Sequence, residues 1–402
     1  MEYETNDLQA SYPDKFVCAA CFGDHYLQGF IDSCVETRTC NYCGRRNRTM
    51  DIAAPVDTVI QHIFECLCRH YGEAWASGAS WDKETDQYMN ETWDSDDLLQ
   101  EYLELANDQS DELYEDILNA FPYWDWTRAS PWSATDSQIL KWGWDRFVNV
   151  VKYQRRFFFA RHEKPDELDR DDLTPGALLD VIGTRCADNG LIETISPGTQ
   201  ILRCRPRASK AERFTKAREL GAPPSKLAKK NRMSPAGISM FYGADEKATT
   251  LGEMPEVPRF YAIGRFETLR PLRLLDLTHV KQPSIFNDGE FDDYHWLVFL
   301  QDFLADFTKP LKRDDSIHIE YVPTQVVTEY LRDTKLVADV PVGGIKYISA
   351  RRRGGICYVL FMDRYSVEPL PGELNGEEVE HERWRMPQGG YVLRLSSIRH
   401  YG

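Results

Sequence analysis

Asn231-Arg232-Met-Ser-Pro-Ala-Gly-Ile-Ser-Met-Phe-Tyr242 is the stretch whose reading decides the fold of the second half of the chain. Its Pro-Ala-Gly marks a turn, and Ile238 to Tyr242 is a short β-like run leaving that turn. Eleven residues after Tyr242, Ala248-Thr-Thr-Leu-Gly-Glu253 reads as part of a helix spanning Ala248 to Met254. Further out, β-like runs at Thr199 to Arg205, Arg259 to Phe266, Arg273 to Asp276, Ile356 to Phe361 and Tyr391 to Leu395 alternate with helical segments at Tyr294 to Phe307 and Pro323 to Leu331. Thr174-Pro175 opens a helix that ends near Asn189-Gly190, with Thr as cap and Pro in the first turn. The pattern is that of a mixed α+β domain over residues 173–402.

Toward the N-terminus the text changes. Cys18-Ala-Ala-Cys21 and Cys40-Asn-Tyr-Cys43-Gly44 are two C-x-x-C pairs separated by eighteen residues. Such turns let four thiolates converge on a tetrahedral ion, so residues 1–50 read as a zinc-ribbon-like module with structural zinc on Cys18, Cys21, Cys40 and Cys43. Four thiolates leave no open coordination position, which argues against a catalytic metal, and metal binding supplies folding free energy that so short a segment lacks. His25 and Cys34 lie inside the loop, and the default for both is non-ligating.

Residues 51–172 read as an all-α domain. Val56, Val59, Ile60, Ile63, Phe64 and Leu67 fall on one helical face, Asp96 to Asn107 and Glu112 to Asn119 continue the pattern, and Phe147, Val150, Val151 and Phe158 suggest a fourth helix. Trp81 to Asp97 is acidic and turn-rich, a surface excursion. Its tryptophans, with Trp124, Trp126, Trp132, Trp142 and Trp144, read as core anchors. Arg161 to Asp172 is charged, carries Pro165, and reads as the interdomain linker.

A formal charge of −16 over 402 residues repels polyanions and disfavours broad phosphate tracking along nucleic acid. Two basic patches stand against it, Arg203 to Arg232 and Arg351-Arg352-Arg353; each is either a solvated face or an attractor of an anionic substrate. The acidic start lacks a signal peptide's basic and apolar regions, no stretch is apolar enough to span a bilayer, and the expectation is a cytoplasmic protein with no membrane partner. Ten cysteines in that compartment should be thiols or metal ligands.

Several quoted segments resemble the RES family, named for an arginine, a glutamate and a serine. Ser196 to Arg205 looks like the strand opening such domains, and Asn231 to Tyr242 is similar to the family's arginine, turn and tyrosine-ending strand. Ala248 to Glu253 matches the helix bearing the glutamate. Glu320 to Leu331 and Gly343-Gly-Ile-Lys-Tyr-Ile-Ser349 resemble its later helix and its serine-bearing loop. Met233, Ser234 and Gly252 depart from the usual residues, a change expected at the pocket rim. The resemblance implies a fold like that of ADP-ribosyltransferases and an enzyme that cleaves the nicotinamide–ribose bond of NAD, as a glycohydrolase or a phosphorylase. It implies catalytic roles for Arg232, Tyr242, Glu253 and Ser349, with Arg203, Arg232 and Tyr242 binding the dinucleotide.

The residue types suit that chemistry. A carboxylate such as Glu253 can stabilise an oxocarbenium-like ribose, the planar fork of Arg232 suits a pyrophosphate, Tyr242 can stack on nicotinamide, and Ser349 can bond a carboxamide or ribose hydroxyl. Singly, each has a plainer reading as an ion pair, a core tyrosine or a cap.

The helical middle resembles the HEPN-like domains found before some RES domains. Arg156-Phe-Phe-Phe-Ala-Arg-His162 has the spacing by which some of them cut RNA, although Phe157 stands where a polar residue is usual. The resulting expectation is an NAD-consuming toxin or anti-phage defence effector, a homodimer, with an antitoxin or defence-system partner. The rivals are an RNA-cleaving HEPN enzyme and a zinc-ribbon interaction protein whose RES domain is inert.

Overall fold

The computed structural model describes residues 7–106, 111–159, 172–254, 256–287, 291–309, 317–333, 341–374, 387 and 389–402. The chain divides into two compact units, Met1–Gln138 with Gln282–Val298, and Ile139–Lys281 with Phe299–Gly402. Its cut differs from the three-part reading, because the cysteine-rich start and the helical region share a core and residues from Ile139 onward belong to the second unit. Among the described residues no helix is long and apolar enough to cross a membrane.

In the first unit, β1 (Phe16–Cys18) pairs antiparallel with β2 (Ala53–Pro55), bracketing α1 (His25–Ser33) and leading into α2 (Val56–Cys68). Asp24 caps α1 by accepting from the amides of Tyr26 and Leu27. The apolar stripe read on α2 is buried as expected, with Val56, Val59, Ile60, Ile63, Phe64 and Leu67 at 0–1% exposure. They pack in one core with Val17, Cys18, Cys21, Cys40, Phe121 and Trp126, so the cysteine module closes no core of its own.

The unit is not all-α. Tyr71–Glu73 (β3) pairs with Trp126–Arg128 (β6), and Trp81–Asp82 (β4) with Gln87–Tyr88 (β5), between α2, α3 (Ser95–Tyr102) and α4 (Asp111–Ala120). Runs of two or three residues carry too little alternation to be read from sequence. The tryptophans also divide. Trp126 and Trp144 are buried, whereas Trp81, Trp132 and Trp142 are about half exposed or more, so the anchor reading fails for those three.

The second unit holds α5 (Asp136–Asn149) from Ile139 onward and α6 (Pro175–Asp188), which Thr174 caps through the amide of Ala177 as its sequence predicts. There follow β7 (Ile192–Ile195), β8 (Gln200–Pro206), α7 (Ala217–Leu220), β9 (Phe241–Ala244), α8 (Lys247–Gly252), β10 (Tyr261–Thr268) and β11 (Leu272–Asp276). After α9 (Phe291–Thr308) come α10 (Ile317–Glu320), α11 (Val322–Asp333), β12 (Gly344–Ile348), β13 (Ile356–Leu360), β14 (Val367–Glu368) and β15 (Leu393–Tyr401).

These strands form one nine-stranded mixed sheet in the order β14-β15-β10-β8-β9-β13-β12-β11-β7. Only β11 with β12 and β14 with β15 run parallel. Lys346 of β12 ties its neighbours by ion pairs to Asp276 of β11 at 2.8 Å and Glu193 of β7 at 2.9 Å. Side chains alternate along a strand, so Tyr347 points to the face opposite Lys346.

One join in the sheet is thin. Strands β8 and β9 pair at Leu202 and Ala244 alone, and the next antiparallel positions, Arg203 opposite Gly243 and Cys204 opposite Tyr242, are unpaired. Gly243 sits where β9 approaches β8. A Cβ there would lie 2.4 Å from the Ile201 Cγ2 and 3.0 Å from the Leu202 carbonyl oxygen. Ile201 is fully buried and β-branched, so it cannot swing aside. Gly243→Ala is expected to lower stability by about 1–3 kcal/mol through overpacking, read as a lower urea midpoint; an unchanged midpoint would show that the join yields freely.

Candidate functional site

Where β8 and β9 part, a cavity of about 640 Å³ opens in the second unit. Arg203 and Cys204 of β8, Tyr242 to Ala244 of β9, Tyr347 of β12 and Cys357 and Tyr358 of β13 supply its sheet wall. Glu253 and Met254 at the end of α8, Tyr321, Arg351, and the run Lys229 to Arg232 close the remainder. Of the residues singled out in the sequence, Arg203, Arg232, Tyr242 and Glu253 therefore line one cavity.

Arg232 is placed by main chain on both sides. Its turn closes on itself through the Asn231 and Ser234 amides and carbonyls. From α11, Thr324 Oγ1 donates to the Arg232 carbonyl at 2.7 Å, and Gln325 Nε2 donates to the carbonyls of Asn231 and Ser234. The helix matching Glu320 to Leu331 thus pins the arginine's turn. The guanidinium donates to the carbonyl of Phe307 at 2.7 Å and to that of Lys309, and burial holds its pKa below the usual arginine value. Two of its five N–H groups are so used among the described residues.

Tyr242 hydrogen-bonds through its hydroxyl to Ser234 Oγ at 2.8 Å, and burial pushes the phenol up to about 12. It is neutral at ordinary pH. Arg203 donates to the Tyr242 carbonyl at 3.2 Å, bridging the gap where the ladder has stopped, and packs over the Phe241 ring with its centroid 5.1 Å away. Burial lowers the pKa of Arg203 to about 10, which leaves it charged near neutrality.

Ser349 takes a different place from the one its residue type suggested. It is 5% exposed, and its hydroxyl donates to Glu253 Oε1 at 2.5 Å while accepting from the amides of Arg351 and Arg352 at 3.2 and 3.1 Å. Its single proton is committed to the carboxylate, so in this state it positions Glu253 and the β12–β13 loop. Gly355 permits the close packing behind that carboxylate, since a Cβ there would lie 2.4 Å from Thr249 Oγ1 on α8. Cys357 lies beside Glu253, and burial together with that carboxylate raises its thiol to about 12, too high for a thiolate nucleophile.

Sequence reasoning passed over Tyr321, Tyr347 and Cys357 as cavity residues, whereas Lys229, Lys230 and Arg351 belong to the two basic patches read there as either solvated faces or attractors of an anionic substrate. Tyr321 and Tyr347 stand next to residues quoted for the resemblance, and strand alternation would have placed Tyr347 on the face shared with Ser349.

In the first unit, Cys18, Cys21, Cys40 and Cys43 converge with all four sulfurs within 4.8 Å of one another and contacts of 3.5–3.8 Å. A tetrahedral ion with bonds of about 2.3 Å requires sulfurs about 3.8 Å apart, so the set fits a metal. Gly44, at φ +68°, supplies the turn after the second pair. Cys34 donates to the Phe30 and Ile31 carbonyls and the His25 ring lies tilted by 39° against that of Tyr26, both outside the cluster. None of the ten cysteines is joined in a disulfide among the described residues.

Residues 201–375 match the RES domain. The chain carries a RES domain. Residues 34–165 match HEPN/RES N-terminal domain 1, so a HEPN/RES N-terminal region precedes the RES domain, as the resemblance implied. No curated protein and no solved structure gives a significant match. The RES match contains the whole Arg203–Tyr242–Glu253–Ser349 set. Arg156, of the spacing considered for RNA cleavage, is exposed and donates to the Lys152 carbonyl at 3.4 Å; His162 lies outside the described residues.

Ser349→Ala removes one donor from Glu253 and one acceptor from two loop amides. A loss of about 1–3 kcal/mol in unfolding free energy is expected, with Ser349→Thr recovering part of it; equal stability of the Ser349→Ala and wild-type proteins in urea would show the hydroxyl to be dispensable.

Proposed function

We propose that the RES domain consumes NAD by breaking its nicotinamide–ribose bond, on a fold like that of ADP-ribosyltransferases. One observation carries the reading: Arg203, Lys229, Lys230, Arg232 and Arg351 converge with a single carboxylate, Glu253, on one cavity of a chain whose net charge is −16. Concentrated cation around one acid suits a ligand that pairs phosphates with a centre developing positive charge.

In this reading Arg203 and Arg232 hold the pyrophosphate by charge-assisted hydrogen bonds. Glu253, fixed by the Ser349 hydroxyl, faces the anomeric carbon and stabilises the oxocarbenium-like ribose as nicotinamide leaves. The leaving ring departs as a neutral molecule with the electron pair of the C–N bond, so no proton donor to it is required. Tyr242, neutral and with its hydroxyl held by Ser234, offers a ring face to nicotinamide. A cytoplasmic toxin or defence effector, working as a homodimer and held in check by a partner, is the role that suits such chemistry.

Structural zinc is the metal proposed for Cys18, Cys21, Cys40 and Cys43, because four thiolates select a soft tetrahedral ion and leave no position open for substrate.

Following nicotinamide release from NAD by the full chain tests the catalytic reading. Glu253→Gln should reduce kcat/KM by ~10²-fold or more and Arg232→Lys chiefly raise KM by about tenfold, both with the wild-type fold. Wild-type protein that spares NAD and cleaves RNA would replace this reading by the HEPN one. For the metal, elemental analysis should find about one zinc per chain, lost or strongly reduced in Cys40→Ser, with a lower melting temperature. Equal zinc in both proteins would remove the cysteines from the site.

A further inference from the structure

We infer that the first unit holds a second ligand cavity, walled by His70, Tyr71, Tyr102, Tyr294 and His295, which takes an uncharged planar nitrogen heterocycle. The cavity measures about 420 Å³, within the range of roughly 300–1,000 Å³ usual for small-molecule sites, and its lining belongs to that unit alone. His70 and Tyr294 have ring centroids 4.9 Å apart at 68°, Tyr294 and His295 5.2 Å apart at 70°, and His70 and His295 5.7 Å apart at 66°. Three rings are thus set edge-on to one another and not stacked, so the wall can present ring faces to a flat ligand. Tyr71 and Tyr102 add two more rings, with their hydroxyls 2.5 Å apart, and Tyr102 also hydrogen-bonds Tyr294. Phenols and neutral imidazoles both donate and accept, which matches the ring nitrogens and amide or amino groups of such a heterocycle.

Charge decides the class. Burial lowers the pKa of His70 to about 4 and raises all three phenols above the ordinary tyrosine value, so these four groups are uncharged near neutrality. Arg128 is the one arginine or lysine lining the cavity among the described residues, and its guanidinium is committed to Glu91 at 3.4 Å and to Gln138 Oε1 at 3.2 Å. The start of α5, where main-chain amides would favour an anion, is closed by a reciprocal cap. Thr135 Oγ1 accepts from the Gln138 amide, Gln138 Oε1 accepts from the Thr135 amide, and the Asp136 carboxylate stands between them in sequence. A phosphate would meet a spent cation, a capped helix end and an acid. The second unit's cavity, with five cations around one carboxylate, is its electrostatic opposite.

The wall is preset. The Ala129 amide donates to the His70 carbonyl at 2.8 Å, Asn90 Nδ2 to the Pro131 carbonyl at 3.1 Å, and Trp132 Nε1 to the Gly78 carbonyl at 3.0 Å. Ser137 Oγ lies 3.2 Å from His295 Nδ1, joining the start of α5 to the same rings. Little ordering is left for a ligand to impose. Two sources can supply the heterocycle: a free nucleobase, or the nicotinamide that the proposed reaction would release. Only the second source rests on the NAD reading.

Calorimetric titration of the full-length chain with adenine, with nicotinamide and with AMP tests the site. Adenine or nicotinamide should bind, and the one that does identifies the source. Tyr102→Leu should raise its Kd by about tenfold or more, and so should Ser133→Trp, a change at an exposed position of the lining that leaves the core untouched. Tyr242→Ala, in the other cavity, should leave this binding in place. Binding of neither heterocycle, or binding that is lost in Tyr242→Ala and kept in both first-unit variants, overturns the inference. So does AMP binding as tightly as adenine with the same dependence on Tyr102. A wild-type protein that releases no nicotinamide from NAD would count against the NAD reading alone, since these titrations require no turnover.

Discussion

Strands β8 and β9 share one paired position, Leu202 with Ala244, and the cavity of the second unit opens where that pairing stops. A continued ladder would have spent the main-chain groups of Arg203, Cys204, Tyr242 and Gly243 on one another. Instead the Arg203 side chain bonds the Tyr242 carbonyl, and four residues that would be sheet interior become a wall. The cost of interrupting a sheet is borne by the antiparallel pairings that flank the gap, β10 with β8 and β13 with β9.

Around that gap the same physical device recurs: a charged or polar side chain is fixed by backbone groups or by a short hydroxyl contact. Glu253 takes a hydrogen bond from Ser349, Arg232 bonds two carbonyls, and α11 holds the arginine's turn through Thr324 and Gln325. Distant segments of sequence are thereby tied to one another. The five short motifs spread over residues 196–349 are brought together in this way.

What the sequence made readable followed regular periodicity and specific residue spacing. The stripe of α2, the Thr174 cap of α6, the two C-x-x-C pairs and the strands at β8, β10, β11 and β13 all emerged from local pattern. The strand expected at Ile238 to Tyr242 begins later, at Phe241, because Gly237 at φ +91° and the turn before it occupy the earlier residues. Strands β3 to β6 were too short to show alternation. The mixed-polarity runs of β7 and β12 depend on partners far away in sequence, as the Lys346 pairs with Asp276 and Glu193 illustrate. Nor could spacing reveal that Ser349 spends its proton on Glu253, since that depends on a contact across ninety-six residues. The exposed Trp81, Trp132 and Trp142 show the same limit from the other side: residue type favours burial, but position decides it.

Arg232 is anchored by the carbonyls of Phe307 and Lys309, not by an acidic side chain. Every amino acid presents the same carbonyl, so the identity of residues 307 and 309 can drift without cutting these bonds, provided the backbone keeps its path. The arginine itself has no such latitude, because only its fork spans both oxygens. Tolerance to substitution around the cavity is therefore lopsided, with freedom on the acceptor side and none on the donor side.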